Sequence, residues 1–291
     1  MADRDRARDE NVPGEVFVDD SCIDCDTCRW MAPEVFDRAG DQSRVQRQPT
    51  TPAQLLDAAQ ALLSCPTASI GASGGLPMSD AVAQLPRPIA DDSPVSHCGY
   101  HAESSFGAAS YLLRRDEGNV LVDSPRFAAP LVKRLEELGG VRTLFLTHKD
   151  DVADHAKFAA HFGCERVLHA DDLVADTRGV ERVIEGTDPV RLADDLLVIP
   201  TPGHTRGSAC LLHADTHLFT GDHLAWSQQL DHLYAFRSAC WYDWDVLRAS
   251  MSGLRAYDFE WVLPGHGWRK RLPVDARRAS LDTCVAWMAG A

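Results

Sequence analysis

Two sets of residues in this chain have types and spacings that could do chemistry. The first is Cys22-Ile-Asp-Cys25-Asp-Thr-Cys28, a C-x2-C-x2-C run, with Cys65-Pro66 arriving later. Three thiolates on one short loop can grip three corners of an iron–sulfur cube, and a distant fourth closes the cage. Zinc is the competing ion, but its sites usually pair two C-x2-C knuckles or a knuckle with histidines; here the third cysteine follows at once and the fourth stands alone. The second set is five polar segments: 147–155, 202–208, 219–223, 263–267 and, more loosely, 97–103. The first four place a His or Asp directly after an apolar strand, beside Gly or Pro that lets the backbone turn. Imidazoles and carboxylates converging from several strand ends suit a first-row transition metal.

Such residues need elements to position them. Residues 1–12 read as a charged, frayed tail and 13–70 as a small first domain. In it, Glu15–Asp19 and a stretch from Ser43 read as short strands. Thr51-Pro-Ala-Gln54 has the form of a helix start, with Leu55, Leu56, Ala59, Leu62 and Leu63 at helical spacing behind it. A domain this short with so few large apolar groups is marginal alone, so a bound cluster is a plausible staple. Residues 71–94 are rich in Gly, Pro, Ser and Asp and read as a linker. From 95 to 291 strands alternate with helices: strands at 110–113, 119–123, 141–147, 166–169, 196–199, 210–212, 217–220 and 259–263, and helices at 128–138, 154–162, 242–256 and 274–288. That order predicts a layered domain with its site along one edge.

The composition excludes several classes. The 291 residues carry 29 Lys+Arg against 43 Asp+Glu, a formal charge of −14, which repels nucleic-acid phosphate and anionic membranes. No apolar run approaches the roughly 18–20 residues of a membrane span. The opening MADRDRARDE has no apolar core of a secretory signal, so a cytoplasmic location is expected. Nine cysteines in a reducing compartment point to metal rather than disulfides. Cys98, Cys164, Cys210, Cys240 and Cys284 lack motif spacing and are expected as buried structural thiols.

At its cysteines the chain resembles the single-cluster bacterial ferredoxins, which share C-x2-C-x2-C…C-P, and Cys28–Phe36 resembles the stretch after that family's third ligand. The resemblance runs over about 14–70. It implies an α+β ferredoxin-like N-terminal domain holding one [4Fe-4S] cluster on Cys22, Cys25, Cys28 and Cys65, with an electron-transfer role. Pro202-Gly-His-Thr-Arg-Gly-Ser208, Thr220-Gly-Asp222 and Pro264-Gly-His-Gly267, with 18 residues from His204 to Asp222, resemble the metallo-β-lactamase fold family over roughly 95–270. That resemblance implies an αββα metallo-β-lactamase sandwich with one or two transition-metal ions at the strand ends. His204 then binds one metal, Asp222 bridges and His266 binds the second. The first segment departs from the family's H-x-H-x-D-H. Aligning His148 with its first ligand and Asp154-His155 with its closing Asp-His leaves Asp150 in place of the second histidine, with Asp151 the alternative. Asp154 and Asp222 become the catalytic carboxylates on that alignment, yet Asp151 and Asp154 equally suit the cap of the following helix. A carboxylate for a histidine shifts preference from zinc toward iron or manganese.

Other residues are weighed lower. His101 and Glu103 belong either to a loop over the site or to a solvated one. His223 adjoins a ligand. His161, His169, His213, His217 and His232 are expected to be structural or on the surface, and Arg237, Trp241, Tyr242 and Trp244 to pack in the core, with the lining of a substrate pocket as the alternative. Three functions follow. In the first, the cluster feeds electrons, received from a redox partner protein, to an iron site acting on a small molecule. Here the flavodiiron branch of the fold is the loose analogy, without its flavodoxin-like partner. In the second, a metal-dependent hydrolase cleaves a thioester, lactone or related ester, and the cluster is structural or regulatory. In the third, the chain is a redox sensor or binding module.

Overall fold

In the computed structural model, which describes residues 2–290, the chain forms two compact units, one of residues up to 142 with 153–162, the other of 143–152 with 163 onward. The first begins with β1 (Val16–Val18), α1 (Thr27–Met31), a hairpin of β2 (Phe36–Ala39) and β3 (Gln42–Val45), α2 (Pro52–Ser64) and β4 (Ile70–Ala72). α2 starts where its residue types require. Thr51 Oγ1 accepts from the Gln54 N–H and Gln54 Oε1 accepts from the Thr51 N–H, both at 3.2 Å, with Pro52 in the first turn. β4 returns antiparallel to β1, Val16 opposite Ala72 and Val18 opposite Ile70, which closes the cysteine-bearing stretch by backbone pairing. The core beneath is small: Val16, Val18, Val35, Phe36, Val45, Ala58, Ala61 and Ile70.

Two stretches differ from the sequence reading. The opening residues are stitched down rather than frayed. Arg8 donates to the carbonyls of Ser43 and Ala39 at 3.0 Å, and the Asn11 carboxamide bonds the N–H groups of Val18 and Val45 and the carbonyl of Val18. Polar side chains here do work that no apolar pattern records. Residues 71–94 also carry structure: α3 (Met78–Ala83), packed on α2, then β5 (Arg87–Pro88). Buried Ala81 and Leu85 anchor the stretch, and Arg87 bonds Asp57 and Gln60 at 2.5 and 2.9 Å. The unit continues as an antiparallel meander of β5, β6 (Val95–His97), β7 (Tyr111–Leu113) and β8 (Val120–Val122), then α4 (Ala129–Glu137) and α5 (His155–Phe162).

In the second unit β9 (Thr143–Phe145), β10 (Glu165–His169) and β11 (Arg182–Ile184) run parallel. β12 (Val190–Ala193), β13 (Leu196–Pro200), β14 (Ala209–His213) and β15 (His217–Gly221) form an antiparallel meander. A hairpin of β16 (Ala225–Ser227) and β17 (His232–Tyr234) and helix α6 (Trp244–Gly253) follow. β18 (Trp261–Pro264) then joins β15 in parallel, β19 (Lys270–Arg271) pairs with β18, and α7 (Val274–Gly290) ends the unit. Leu212, Leu218, Leu247, Met251, Val262, Leu281 and Met288 share its core. Pairing brings the chemistry to one end of this sheet. Pro200 lies opposite Ala209 and Gly221 opposite Pro264, while the Ala209 N–H donates to the Thr147 carbonyl at 2.9 Å. The loops that follow β9, β13, β15 and β18 therefore open at the same edge. Among the described residues no helix is long and apolar enough to cross a membrane.

Candidate metal sites

The four motif cysteines line one cavity with Val18, Ile23, Thr27, Ser43 and Ile70. Asp24 and Asp26 take left-handed backbone angles, φ 62° and 61°, which turns the loop sharply enough to aim three thiols inward. Asp24 is braced by Arg29 and Arg38 at 2.7 and 2.6 Å. Backbone amides donate to the sulfurs: Ser43 N–H to Cys22 at 3.4 Å and Ser69 N–H to Cys65 at 3.2 Å. Burial pushes the Cys25 thiol up to about 12 and the Cys28 thiol well above its usual range. These thiols give up their protons only to a metal that replaces them. Three thiolates on one zinc stand about 3.8 Å apart, as Zn–S bonds of about 2.3 Å dictate. Among the described residues the groups with donor atoms all within 4.8 Å of one another contain no cysteine, so the wider spacing fits a cluster rather than a single ion.

At the sheet edge of the second unit, His148 follows β9, His204 the β13 end, Asp222 the β15 end and His266 the β18 end. Asp222 Oδ2 lies 3.8, 3.7 and 3.7 Å from Nε2 of His148, His204 and His266. Asp150 Oδ2 is 3.6 Å from His204 Nε2 and 4.0 Å from His148 Nε2, and Asp151 Oδ2 is 4.0 Å from His148 Nε2. Such spacings are too long for hydrogen bonds. They are short enough to share an ion, since two ligands at about 2.1 Å span at most about 4.2 Å. Two overlapping groups could hold a metal: His148, Asp150 and His204, and His148, Asp151 and Asp222. The fit is supported by atoms buried without a hydrogen-bond partner: His148 Nε2, His204 Nε2, Asp150 Oδ2 and Asp222 Oδ1. Burial, helped by the nearby His204, His223 and His266 rings, holds His148 well below the ordinary histidine range, so it is a neutral donor. Gly265 has no room for a side chain: a Cβ would stand 2.8 Å from Asp151 Oδ2 and 2.9 Å from Asp222 Oδ1.

The surrounding residues fix these donors. Buried Asp172, at the end of β10, accepts from Lys149 N–H at 3.0 Å, Thr205 O–H at 2.6 Å and Gly207 N–H at 2.8 Å, tying two ligand loops together. Sequence reasoning missed it. Its position just past a strand was the available signal, but no motif marks Ala170-Asp-Asp172. Buried His223 donates from Nε2 to the Thr201 carbonyl and is pushed down to about 3 by burial and by His204. The Trp241 and Tyr242 N–H groups donate to the His204 carbonyl at 2.9 and 3.0 Å, and Asp243 N–H to that of Gly203 at 3.0 Å. Gly203, at φ 147°, meets α6 so closely that a Cβ would lie 2.3 Å from Leu247 Cα.

The structure thus gathers His148, Asp150, Asp151, His204, Asp222 and His266. Asp150 and Asp151, alternatives in the sequence, both reach the site, because the bend after His148 lets adjacent side chains turn toward it. Asp154, expected as ligand and catalytic carboxylate, is committed elsewhere. Its Oδ2 accepts from Phe127 N–H at 2.8 Å, Lys157 pairs with it at 2.7 Å, and its carbonyl accepts the first bonds of α5. The two extra residues of this segment place Asp154 at the start of α5, while Asp150 and Asp151 lie beside His148. His155 is buried as the first residue of α5. His101 does not lie on a solvated loop: it is buried and its Nδ1 is 3.1 Å from Thr27 Oγ1. Glu103 is exposed. Trp241 and Tyr242, expected in the core, are 66% and 45% exposed, because their backbones serve the His204 loop and their rings face outward. None of the nine cysteines is in a disulfide; Cys240 is only half-buried.

Comparison with known proteins matches residues 18–72 to the 4Fe-4S single cluster domain of Ferredoxin I. The hydroxyacylglutathione hydrolase of Salmonella paratyphi A is 30% identical over 118 residues, 39% of this chain and 46% of that protein, so the match spans less than half of the relative. The crystal structure of VMB-1 superposes with a TM-score of 0.51 at 16% identity, covering 70% of this chain and 97% of that one. BLEG-1, a B3 metallo-β-lactamase, gives 0.49 at 20% identity, covering 61% and 93%. The chain thus carries, at 18–72, a segment that matches a single-cluster 4Fe-4S ferredoxin domain, followed by a region with the metallo-β-lactamase fold.

Proposed function

We propose that the chain is a metal-dependent oxidoreductase in which the ferredoxin domain passes single electrons to a transition-metal site, iron before zinc or manganese, that acts on a small molecule. The observation that carries this reading is the donor set His148–Asp150–His204. Two imidazoles and one carboxylate are the set that non-haem ferrous sites use, and Asp151 and Asp222 add further hard oxygens. Bound there, such an ion supplies one-electron chemistry toward dioxygen, nitric oxide or an organic substrate. Asp150, with 42% of its side chain exposed, lies on the approach side. The Trp241 ring, 6.3 Å from that of His204, offers an apolar wall to a substrate there. Asp172 and His223 hold the ligand loops so that the donors need not rearrange. A second protein reloads the cluster, and a reducing cytoplasm suits nine cysteines of which none is in a disulfide.

Anaerobic purification with metal analysis, followed by dioxygen uptake under a one-electron donor, tests this. Iron in both domains and uptake lost in Cys25→Ser support it. Zinc at the sheet edge, with thioester turnover indifferent to that change, overturns it in favour of a hydrolase. The hydrolase reading has its own support in the 30% identity to hydroxyacylglutathione hydrolase. In it, Asp222, set among three histidines, helps hold a metal that activates water.

A further inference from the structure

His97 and His101 have no role in that reading, yet their geometry is unusual. Both are buried, and their Nε2 atoms face each other at 2.7 Å. Two imidazole nitrogens can be that close only with a proton between them. His101 Nδ1 is 2.6 Å from the Gly107 carbonyl, which can only accept, so Nδ1 carries a hydrogen. In the neutral pair His97 Nε2–H then donates to His101 Nε2. If the pair gains a proton, it lands on His97 Nδ1, the one ring nitrogen outside the Nε2–Nε2 contact that lacks a hydrogen, and the hydrogen between the two Nε2 atoms can then sit on either ring. Both charge states keep the Nε2–Nε2 bond and the bond to the Gly107 carbonyl.

The pair is wired to a cluster ligand. His101 Nδ1 is 3.1 Å from Thr27 Oγ1, which lies 3.4 Å from Cys25 Sγ. Gly107 presses on the same cysteine, since a Cβ on it would stand 3.0 Å from Cys25 Sγ. Trp30 of α1 stacks on His101 with ring centroids 5.8 Å apart and meets His97 edge-on at 4.9 Å. The single His101 Nδ1 hydrogen is shared between the Gly107 carbonyl and Thr27 Oγ1, and with Cys25 as thiolate the Thr27 O–H turns to the sulfur from the Gly107 carbonyl, 3.2 Å from it. The other titratable or charged groups on the elements around the pair are Asp26 and Arg29 beside and on α1, Arg87 opposite His97 on β5, Cys98 and Glu103 on its own loop, and Tyr111 on β7, its ring 6.2 Å from that of His97. Arg29 is engaged by Asp24 and Ser43, and Arg87 by Asp57 and Gln60.

We propose that the His97–His101 pair is a proton-accepting site coupled to the cluster, taking one proton from solvent as the cluster takes one electron. An electron placed on a buried centre adds a negative charge where little water screens it, and a cation formed two hydrogen bonds away offsets that charge. The balance is one electron from an external one-electron donor and one proton from solvent, which forms one N–H bond at His97 Nδ1 and breaks no bond of the protein. The proposal rests on the ferredoxin domain and is independent of which metal occupies the second site.

The test is a redox titration of the full-length holoprotein with dithionite and mediators between pH 6 and 9, the cluster followed by optical bleaching and EPR. Coupling makes reduction about tenfold less favourable per pH unit, about 59 mV for one electron, across the range in which the pair takes its proton. His101→Gln flattens this dependence while the EPR signal remains. Should that variant fail to assemble its cluster, His97→Gln serves. It leaves one ring in place of two and displaces the pH range of uptake, whereas a proton bound elsewhere leaves the range unchanged. A pH-independent potential in the unaltered protein, or a dependence that His101→Gln or His97→Gln leaves as it was, overturns the proposal.

Discussion

Asp151 and Asp154 stand three residues apart and are chemically identical, so their opposite environments give a direct prediction. Asp151 is 2% exposed with its carboxylate 4.0 Å from His148 Nε2, whereas both oxygens of Asp154 are taken by Phe127 and Lys157. Asp151→Asn removes a charge that offsets a cation and lowers the metal content of the second site. Asp154→Asn leaves that content unchanged and costs less than about 1 kcal/mol of stability, since it removes a largely solvent-screened pair with Lys157. Metal analysis beside thermal unfolding of the two variants checks both halves, and metal loss in Asp154→Asn alone would reverse the assignment. Asp172→Asn belongs with them. It keeps the shape but replaces an acceptor of three hydrogen bonds, and metal affinity measured by competition with a chelator should fall about 10–100-fold. At this scale the sequence showed which residue types were present but not where each side chain turned. His204, Asp222 and His266 were legible because Gly or Pro beside a strand end leaves one place for them to go. Asp151 against Asp154 was not, because two extra residues allow two alignments that only the position of the helix start separates.

Elements with their own chemical signature were legible in the same way, and those held by side-chain bonds to backbone were not. Thr51, Pro52 and Gln54 start α2 as their types dictate, and the alternating strands of 196–220 appear within a residue or two of where their apolar residues place them. The opening residues and 71–94 carry too few apolar side chains to show a period; Arg8, Asn11 and Arg87 order them instead. A comparable device links β10 to the loop before β11. There Arg166 bonds both oxygens of Glu181 and holds its carboxyl down to about 2. A carboxyl depressed on folding stabilises above its unfolded value of about 4.3 and loses that contribution as the pH falls through about 2. Glu181 is 45% exposed, so solvent screens the pair. Glu181→Gln should therefore cost less than about 1 kcal/mol at pH 7, a small part of that at pH 2, and nothing well below pH 2. Urea unfolding at the two pH values measures this, and an equal loss at both would mean that the side chain acts through packing.

For the whole molecule, what matters is which part depends on its cofactor to stay folded. The core around the cysteines is built from valines, alanines, one isoleucine and one phenylalanine, whereas the second unit buries several leucines together with Phe259, Met251 and Met288. At about 25 cal/mol per Å² of buried apolar surface, the smaller core leaves little margin over chain entropy, and a cage of four sulfurs supplies the remainder. Without iron, Cys25 and Cys28 revert to buried thiols with no partner of comparable strength, and the backbone amides aimed at Cys22 and Cys65 lose charged acceptors. Anaerobic removal of the cluster should thus release amide-exchange protection over 16–72 by at least tenfold while leaving β13–β15 (196–221) unchanged. Cys65→Ser should give the same pattern at the level of the gene. Exchange measured by mass spectrometry on holoprotein and stripped protein separates the outcomes. Protection that survives cluster loss throughout 16–72 would mean that side-chain stitching by Arg8 and Asn11, and not iron, holds this part of the chain. The cluster would then be free to come and go as a sensor rather than serve as a permanent electron carrier.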